Sequence, residues 1–240
     1  MKGIILAGGS GSRLIPLTRV TNKHLLPVGR KPMILHSIDK FTAAGLTEIM
    51  VVTGRDHMGA IVNLLGSGRE FGCELTYRVQ DEAGGIAQAL SLCRRFASEN
   101  PICVLLADNI FTAPLNSFVD ENRAAGSGAM ILLKAVPDAH RYGVAELSPD
   151  RTRIVSIEEK PSIPKTNLAV TGIYFYDATV FDVIETLKPN ARNELEITDV
   201  NNTYVHRGEL KWRELPGEWT DAGTFESLAR AHRILDGEGP

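Results

Sequence analysis

The sequence has little of what builds a disulfide scaffold, a thiolate metal site or a membrane span. Its 240 residues include three cysteines, Cys73, Cys93 and Cys103, an odd number without C-x-x-C spacing. This pattern argues against a disulfide framework and predicts a reducing, cytoplasmic environment. The apolar run near the start, GIILA, is far shorter than the roughly 20 residues of a membrane span or the h-region of a signal peptide. We therefore expect no membrane partner.

Basic stripes, paired histidines and hydrolase motifs are also missing. The net charge is −3 and the Lys and Arg residues are scattered, so nucleic acid is not expected as a partner. No G-x-S-x-G motif supports a serine nucleophile. The histidines lack metal-ligand spacing and are predicted to be surface or structural residues. They are His24, His36, His57, His140, His206 and His232.

Short β-branched runs alternate with helical patterns through the first half of the chain. Such alternation predicts right-handed βαβ units and a parallel sheet covered by helices on both faces. We expect Pro32 at the first position of its helix and Gly45 at that helix's C-terminal cap. The predicted strands are 4–7, 48–53, 74–79 and 102–108, and the predicted helices are 32–44, 57–65 and 86–96.

The rhythm changes beyond Gly128, where strands are predicted at AMILLKAV, VAELS, IVSIEEK and LAVTGIYFYD. Helices are expected around 179–187 and 196–206. We interpret this half as a mixed continuation of the same sheet with a second lobe over its carboxyl edge. No internal repeat or linker is visible, so residues 1–240 are predicted to form one α/β domain with a Rossmann-like, three-layer, mostly parallel sheet.

The stretch GIILAGGSGSRL joins the first strand to a glycine-rich loop. It matches neither the dinucleotide fingerprint, which needs a glycine where Leu14 stands, nor the P-loop. Gly8, Gly9 and Gly11 allow backbone N–H groups to approach an anion, and Arg13 adds a guanidinium suited to phosphate oxygens. The alternative is a tight turn with a surface arginine.

Polar residues are also predicted at the ends of other strands. Gln80 and Asp108 follow the third and fourth strands, at the rim where open α/β sheets bind ligands. Asp108 and the distant Asp221 are candidate Mg²⁺ ligands, although an aspartate in either place also serves as a turn former or helix cap. Lys23 lies just before two leucines, and its alternative role is a solvated surface charge.

Two charged stretches follow in the second half. Because side chains alternate along a strand, Glu158 and Lys160 are expected on one face and Glu159 on the other. The segment RNELEITDV contains Arg192 near the start of a charged helix. Its possible salt-bridge partners are Glu194, Glu196 and Asp199.

Ten stretches in register carry a resemblance over residues 2–228. They are KGIILAGGSGSRL, NKHLLPV, KPMI, GGIAQAL, LADNIF, RYGVAE, EEKP, AVTGIYFYD, ELEITDVN and WTDAGTFESL. Together they resemble the sugar nucleotidyltransferase family, and within it the branch that transfers thymidylyl groups. The resemblance implies the nucleotide-diphospho-sugar transferase fold. It also implies a Mg²⁺-dependent reaction of dTTP with α-D-glucose 1-phosphate that gives dTDP-glucose and pyrophosphate.

The resemblance further implies residue roles where the motifs match. The catalytic residues would be Arg13, Lys23, Asp108, Lys160 and Arg192. The nucleotide would contact Leu6, Gly8, Gly9, Ser10, Gly11, Ser12, Arg13, Lys23, Gln80, Gly85 and Asp108, within a part spanning about 1–127. The sugar phosphate would contact Asn109, Tyr142, Gly143, Glu159, Lys160, Val170 and Arg192, mostly within about 128–240. The metal ligands would be Asp108 and Asp221.

Several alternatives stay open from the sequence. A uridylyl- or cytidylyltransferase acting on another sugar 1-phosphate would have the same motifs, since a thymine methyl is worth only about 1–3 kcal/mol in an apolar pocket. A non-catalytic sensor of nucleotide sugars is a further possibility. By family analogy we expect a homo-oligomer, a dimer or tetramer, that supplies deoxysugar synthesis, for example of rhamnose. Long-form relatives add regulatory helices after the point where this sequence stops, so feedback control at that site is not expected.

Overall fold

The computed structural model describes residues 1–9 and 11–237, which form a mixed sheet with helices on both faces. Its strands are β1 (Lys2–Ala7), β2 (Pro27–Val28), β3 (Lys31–Pro32), β4 (Glu48–Gly54), β5 (Glu74–Gln80), β6 (Ile102–Leu106), β7 (Asn109–Phe111), β8 (Ala129–Ala135), β9 (Gly143–Leu147), β10 (Ile154–Glu159), β11 (Leu168–Tyr176), β12 (Leu210–Glu214) and β13 (Trp219–Asp221). Its helices are α1 (Met33–Ala43), α2 (Met58–Leu65), α3 (Ile86–Ser91), α4 (Arg94–Ala97), α5 (Asn116–Ala125), α6 (Val180–Thr186), α7 (Ile197–Arg207) and α8 (Phe225–Asp236). The predicted α/β class is confirmed.

The main sheet has the strand order β10-β9-β11-β6-β1-β4-β5, with β8 beside β11 and β12 beside β8. Strands β6, β1, β4 and β5 are parallel, and β11 runs antiparallel to β6. The chain moves outward from β1 to β5 and then returns to β6 on the other side of β1. The carboxyl ends of β1 and β6 therefore form a topological switch point, where ligands of open α/β sheets bind.

Alternation along β1 shows why the strand is apolar throughout. Ile5 and Ala7 pack into the hydrophobic cluster on one face, whereas Ile4 and Leu6 pack into the cluster on the other. Because both faces are covered by helices, a period of two is invisible in such a strand. The predicted parallel strands of the first half are confirmed within a residue or two at their ends.

Several helix predictions need correction. The helix expected at 86–96 is divided into α3 and α4, with Cys93 N–H donating to Leu90 O, three residues back, at the break. Buried side chains continue across it at Leu90, Cys93 and Ala97, so the apolar pattern cannot reveal it. Pro32 is the N-cap of α1 instead of its first helical residue, because its ψ of 140° is extended. Gly45 ends that helix with a φ of 71°, as expected.

The sequence analysis did not predict α5 or β12. Strand β12 pairs parallel with β8 through Leu210 opposite Ala129. Only Leu210 is buried in this strand, because β12 lies at a sheet edge and its other side chains are largely solvated. A sequence of this kind, LKWRE, lacks the apolar run that marks a central strand.

A small second layer covers the rim of the main sheet. Strands β7 and β13 pair antiparallel, with Asp221 opposite Asn109. Leu14, from the end of the glycine loop, is fully buried in a third hydrophobic cluster with residues of α8. Thr224 and Ser227 form a reciprocal capping box at the start of α8. The glycine loop and Asp221 are thus anchored to the same layer.

A buried hydrogen bond joins α7 to β11, and its removal tests how much it stabilises the packing of the helix on the sheet. Tyr176 OH donates to Asn201 Oδ1 at 2.6 Å, and both residues are fully buried. Tyr176→Phe removes the donor and leaves a buried amide without a partner, so the free energy of unfolding should fall by about 1–3 kcal/mol in urea titrations. Tyr77→Phe is the matched control, because its hydroxyl bonds Gly66 O at an exposed site where water substitutes. Equal losses in the two variants would contradict this account.

Candidate active site

Two adjoining cavities open at the carboxyl ends of the central strands. The first cavity has a volume of about 380 Å³ and extends over β1, β5 and β6. The second cavity, of about 210 Å³, lies between β9, β11 and β13. Both are lined by Arg13, Asp108, Glu159 and Lys160. The two cavities therefore form one cleft with charged side chains at their junction.

The structure brings most of the predicted site residues to this cleft. The first cavity is lined by Leu6, Gly8, Gly9, Arg13, Lys23, Gln80, Gly85 and Asp108 of the predicted nucleotide set. The second is lined by Asn109, Tyr142, Gly143, Glu159, Lys160, Val170 and Asp221. Arg192, predicted on the sugar phosphate, lines the first cavity instead. Gly11 and Ser12 belong to the loop but not to the cavity linings, and Ser10 lies outside the described residues.

Position 11 of the glycine loop requires a glycine. Its φ of 67° is left-handed, and a Cβ there would lie 2.8 Å from Thr18 Cγ2 and 3.0 Å from Lys23 Cβ. The neighbouring Gly9 lies close to the Lys23 ammonium, which is 3.5 Å from the position of a Gly9 Cβ. Gly8, Gly9 and Lys23 line the same cavity, where loop backbone and an ammonium group would meet an anion together.

Lys23 and Asp108 form an ion pair at the centre of the cleft. Lys23 Nζ donates to Asp108 Oδ2 at 2.5 Å, and Lys23 is 7% exposed. A surface role for Lys23 is therefore wrong. Burial alone would raise the pKa of Asp108, but the Lys23 charge and a hydrogen bond from Asn109 Nδ2 hold it below its usual range. Asp108 is thus an anion in the free protein.

Asn109 orients the Asp108 carboxylate. Its Oδ1 accepts N–H groups from Gly172, at 2.9 Å, and from the Trp219 indole, at 2.8 Å. Since both partners are obligate donors, the amide nitrogen must be the atom that faces Asp108. The oxygen is fully used within the protein, so only the second amide hydrogen is left for the predicted contact with a sugar phosphate.

His24 is a buried neutral histidine next to this pair. Its backbone N–H and its ring Nδ1 both contact Asn22 Oδ1 at 2.8 Å. The backbone group is a donor, so Asn22 Oδ1 is an acceptor and Nδ1 carries the proton. Burial and the Lys23 charge lower the pKa of His24 to about 3. The predicted structural role of His24 agrees with this geometry.

Asp221 is held by residues from the turn before β9. Arg141 Nη2 donates to Asp221 Oδ1 at 3.0 Å and to Oδ2 at 3.2 Å, and Tyr142 OH donates to Oδ1 at 2.7 Å. A Cβ on Gly223 would lie 2.8 Å from Asp221 Oδ2 and 3.1 Å from Arg13 Nη2. The Asp221 carboxylate and the Arg13 guanidinium thus both lie close against Gly223, and a larger residue there would displace the ends of these side chains. Sequence reasoning missed Arg141, whose only signal was its place in the RYGVAE stretch.

The two aspartates are suited to a hard divalent cation. Strand pairing places them side by side, with Ala222 N–H donating to Asp108 O at 2.7 Å, and both line the second cavity. Over residues 1–9 and 11–237, no three His, Cys, Asp or Glu side chains cluster as a metal site. Two carboxylates that leave the other positions to water and phosphate are the donor set that Mg²⁺ prefers.

Lys160 departs from the predicted strand alternation. Strand β10 ends at Glu159, and Lys160 takes a φ of 45°, which turns its side chain toward the cleft instead of the Glu158 face. Its Nζ donates to Glu159 Oε1 at 2.6 Å, and Glu159 Oε2 accepts from Thr198 at 2.6 Å. Glu158 lies in a separate shallow depression. The predicted separation of the two glutamates is confirmed, but the placement of Lys160 was wrong.

Arg192 is paired with two of its three predicted partners. Its Nη2 lies 3.0 Å from Glu194 Oε2 and 2.5 Å from Glu196 Oε1. No ion pair to Asp199 occurs in the described part of the chain. Glu194 and Glu196 both line the first cavity, which the sequence analysis did not foresee. An anion entering the cleft therefore competes with these carboxylates for Arg192.

We predict that His24 makes the fold sensitive to mild acid. Its folded pKa of about 3 is below the ordinary value of 6.5, so the unfolded chain binds a proton first as the pH falls. The stability from neutral burial is complete above pH 6.5 and is lost toward pH 3, by up to about 1.4 kcal/mol per pH unit. Urea unfolding measured between about pH 7 and pH 5 should show a flatter profile for His24→Asn than for the unchanged protein.

The matched control for this experiment is His206→Asn, on the exposed side of α7. It should keep the pH dependence of the unchanged protein, because its side chain is solvated in both states. The account fails when His24→Asn and His206→Asn have the same profile.

Known proteins with similar sequences are nucleotidyl transferases, in agreement with a cleft suited to phosphate groups. The model of the family described as nucleotidyl transferase matches residues 2–237. The glucose-1-phosphate thymidylyltransferase of Neisseria meningitidis is 43% identical over 236 residues, covering 96% of this chain and 81% of that protein. The enzyme of the same name from Xanthomonas campestris pv. campestris is 40% identical over 240 residues, covering 98% of this chain and 80% of the relative.

Solved structures show the same architecture. A Bacillus anthracis protein, provisionally assigned as a glucose-1-phosphate thymidylyltransferase and crystallised with sucrose, is 56% identical with a TM-score of 0.94. The alignment covers 98% of this chain and 94% of that one. A UDP-glucose pyrophosphorylase solved with UDP-glucose shares the fold, with a TM-score of 0.85 at 24% identity over 99% of both chains.

Within residues 1–9 and 11–237, every helix is too short or too polar to span a membrane.

The ten motifs, the mixed sheet and the cleft at its switch point agree with the family match over nearly the whole sequence. The chain belongs to the nucleotidyl transferase family and is an enzyme of that family.

Proposed function

We propose that this protein is a glucose-1-phosphate thymidylyltransferase that transfers a thymidylyl group from dTTP to α-D-glucose 1-phosphate and releases pyrophosphate. The observation that carries the proposal is the junction of the two cavities. Arg13, Asp108 and Lys160 line both cavities, between a space for a nucleotide and a space for a sugar. Relatives of that name at 40% and 43% identity support the choice of substrates.

The first cavity suits a nucleoside triphosphate with a pyrimidine base. Gln80 Nε2 donates to Gly85 O at 3.3 Å and to Gln88 Oε1 at 2.7 Å, so the amide orientation is set. Gln80 Oε1 is then available as an acceptor for the N3–H of thymine or uracil. Cytosine has an acceptor at N3, so the same geometry disfavours it.

The second cavity suits the sugar phosphate. Glu159 and Gly143 supply a carboxylate and a backbone edge for hydroxyl groups, and Val170 adds an apolar wall. The Tyr142 hydroxyl is already bonded to Asp221, so we assign that side chain to the wall and to Asp221. The sugar-phosphate oxygens would face Lys160, which lines both cavities.

The reaction needs charge neutralisation more than a protein nucleophile. An oxygen of the sugar phosphate attacks the α-phosphorus of the triphosphate in line, and both partners are anions that repel each other. Lys160 reduces this repulsion at the attacking phosphate, and Arg13 and Lys23 stabilise the departing pyrophosphate. No side chain has to accept a proton, because the attacking group is already an anion.

Three cations of the cleft form ion pairs with carboxylates of the cleft. Lys23 is paired with Asp108, Lys160 with Glu159, and Arg192 with Glu194 and Glu196. Arg13 makes no ion pair among residues 1–9 and 11–237, so it is the cation that meets a phosphate without first breaking one. Substrate binding thus exchanges carboxylate partners for phosphate oxygens.

Magnesium is the proposed cofactor, with Asp108 and Asp221 as its protein ligands. When bound there, a divalent cation neutralises phosphate charge and polarises the α-phosphoryl group. Asn109 orients Asp108, and the hydroxyl of Tyr142 orients Asp221. The two carboxylates are therefore held by neighbours before any ligand enters.

We also propose that two parts of the chain bind different substrates. Residues from about 1–127 mainly contact the nucleotide, and residues from about 128–240 mainly contact the sugar. The division is incomplete, because Arg192 lines the first cavity and Arg13 lines the second.

We propose that the active protein is a cytoplasmic homo-oligomer, either a dimer or a tetramer. Three free cysteines support the reducing compartment.

Pyrophosphate release tests the reaction and the substrates together. The protein is incubated with glucose 1-phosphate, Mg²⁺ and each common nucleoside triphosphate or dUTP, and kcat/KM is compared. We expect dTTP to lead and dUTP, which lacks only the thymine methyl, to follow by about 10- to 200-fold, the value of one methyl group in an apolar pocket. A preference for another triphosphate or sugar phosphate overturns the substrate assignment, and a protein that binds substrates without turnover is a sensor.

We predict that Asp108→Asn abolishes turnover in a protein that still folds, with a lower Tm because the buried Lys23 loses its carboxylate partner. The change removes the charge that holds Lys23 and a proposed cation, so kcat should fall by at least about 10²-fold, as for loss of a charge-stabilising group. Thermal unfolding of the variant should remain cooperative. Asp199→Asn, an exposed aspartate outside both cavities, is the control with unchanged kcat. Near-normal activity of Asp108→Asn with Mg²⁺ contradicts the metal assignment.

A further inference from the structure

We propose that Arg141 is a positioning residue that sets the orientation of the Asp221 carboxylate for a divalent cation. The inference rests on the proposed function, because it concerns the metal site of that reaction. Neither the motifs nor the family roles assign anything to Arg141. Its guanidinium lines the second cavity, 23% exposed, with its donors directed at a carboxylate on each side.

The contacts distinguish the two oxygens of Asp221. Oδ1 receives the Tyr142 hydroxyl at 2.7 Å and Arg141 Nη2 at 3.0 Å. Among residues 1–9 and 11–237, Oδ2 receives only the longer contact from Arg141, at 3.2 Å, and it lies on the side of Gly223 and Arg13. Oδ2 therefore has a lone pair left for a cation, and the Oδ1 contacts stop the carboxylate from rotating.

Arg141 is itself anchored from outside the cleft. Its Nη1 donates to Asp138 Oδ2 at 2.8 Å, and its guanidinium lies 5.2 Å from the Tyr142 ring centre. Asp138 lines neither cavity. A planar fork with donors on two nitrogens can bridge two carboxylates at once, whereas an ammonium group on a flexible stem cannot hold both directions. Arg141 thus links the Asp138 carboxylate, outside the cleft, to the Asp221 carboxylate at the cleft.

Lys23 and Arg141, which bind Asp108 and Asp221, differ in whether a second carboxylate also holds them. Lys23 bonds Asp108 and makes no second ion pair within the described residues, so it can move to a phosphate. Arg141 would have to leave Asp138 to do the same. Arg141 is therefore a fixed part of the site, and Lys23 is an exchangeable one.

Binding of Mn²⁺ alone tests the proposal without turnover. Free Mn²⁺ is measured by electron paramagnetic resonance in titrations of the protein without nucleotide or sugar. Arg141→Met and Arg141→Lys should both weaken Mn²⁺ binding by about 10- to 100-fold, the range for loss of a group that orients a metal ligand. Arg94→Met is the matched control, since Arg94 bridges Asp182 and Glu185 away from the cleft and should leave Mn²⁺ binding unchanged.

A double-mutant cycle tests the route through Arg141. Asp138→Asn should weaken Mn²⁺ binding in the otherwise unchanged protein and have no further effect when Arg141 is already methionine. Thermal unfolding of every variant is recorded in parallel, because a purely structural residue would lower Tm without changing metal affinity. If Arg141→Met fails to fold, Arg141→Lys and Asp138→Asn still decide the question.

The outcomes separate this inference from the proposed function. Unchanged or tighter Mn²⁺ binding in Arg141→Met shows that the arginine is only a counter-ion and overturns the inference. Full binding in Arg141→Lys does the same, because charge alone would then suffice. Failure of the unmodified protein to bind Mn²⁺ overturns the metal site itself, while pyrophosphate release from dTTP and glucose 1-phosphate separately tests the reaction.

Discussion

The cleft depends on one constraint: a cation that lies away from solvent needs a carboxylate partner. The pair of Lys23 and Asp108 meets that constraint at the centre, with the ammonium only 7% exposed. A buried charge without a partner would be strongly destabilising, so each cation that leaves the solvent needs a carboxylate nearby. Asp108 is therefore as necessary to the stability of the folded protein as Lys23 is to the proposed reaction.

Sheet topology places these charges. The chain reverses its strand order between β1 and β6, so the glycine loop and Asp108 emerge side by side. The pairing of β7 with β13 then brings Asp221, more than a hundred residues later, beside Asp108. Asn109 connects that small layer to β11 by accepting the Gly172 N–H, and it also accepts the indole N–H of Trp219 within the layer. Strand pairing thus places the two aspartates side by side, and the side chains of Asn109 and Tyr142 orient their carboxylates.

Sequence patterns were reliable where the signal is local or where a whole stretch matches the family. Buried parallel strands, the left-handed cap at Gly45 and the rim that gathers Gln80 and Asp108 were all predictable from apolar runs and strand ends. The division between α3 and α4 was not, since buried residues continue across it. Strand β12 was missed because an edge strand has mostly polar side chains.

Local periodicity and motif spacing were enough to predict the fold class, the family and the types of charge at the site. The ion pairs between residues far apart in the sequence became visible only in the folded chain. Lys160 enters the cleft through a left-handed backbone turn, and Arg141 reaches Asp221 across 80 residues of chain. Neither follows from local pattern, since a salt bridge between distant residues depends on how strands pair and where each one ends.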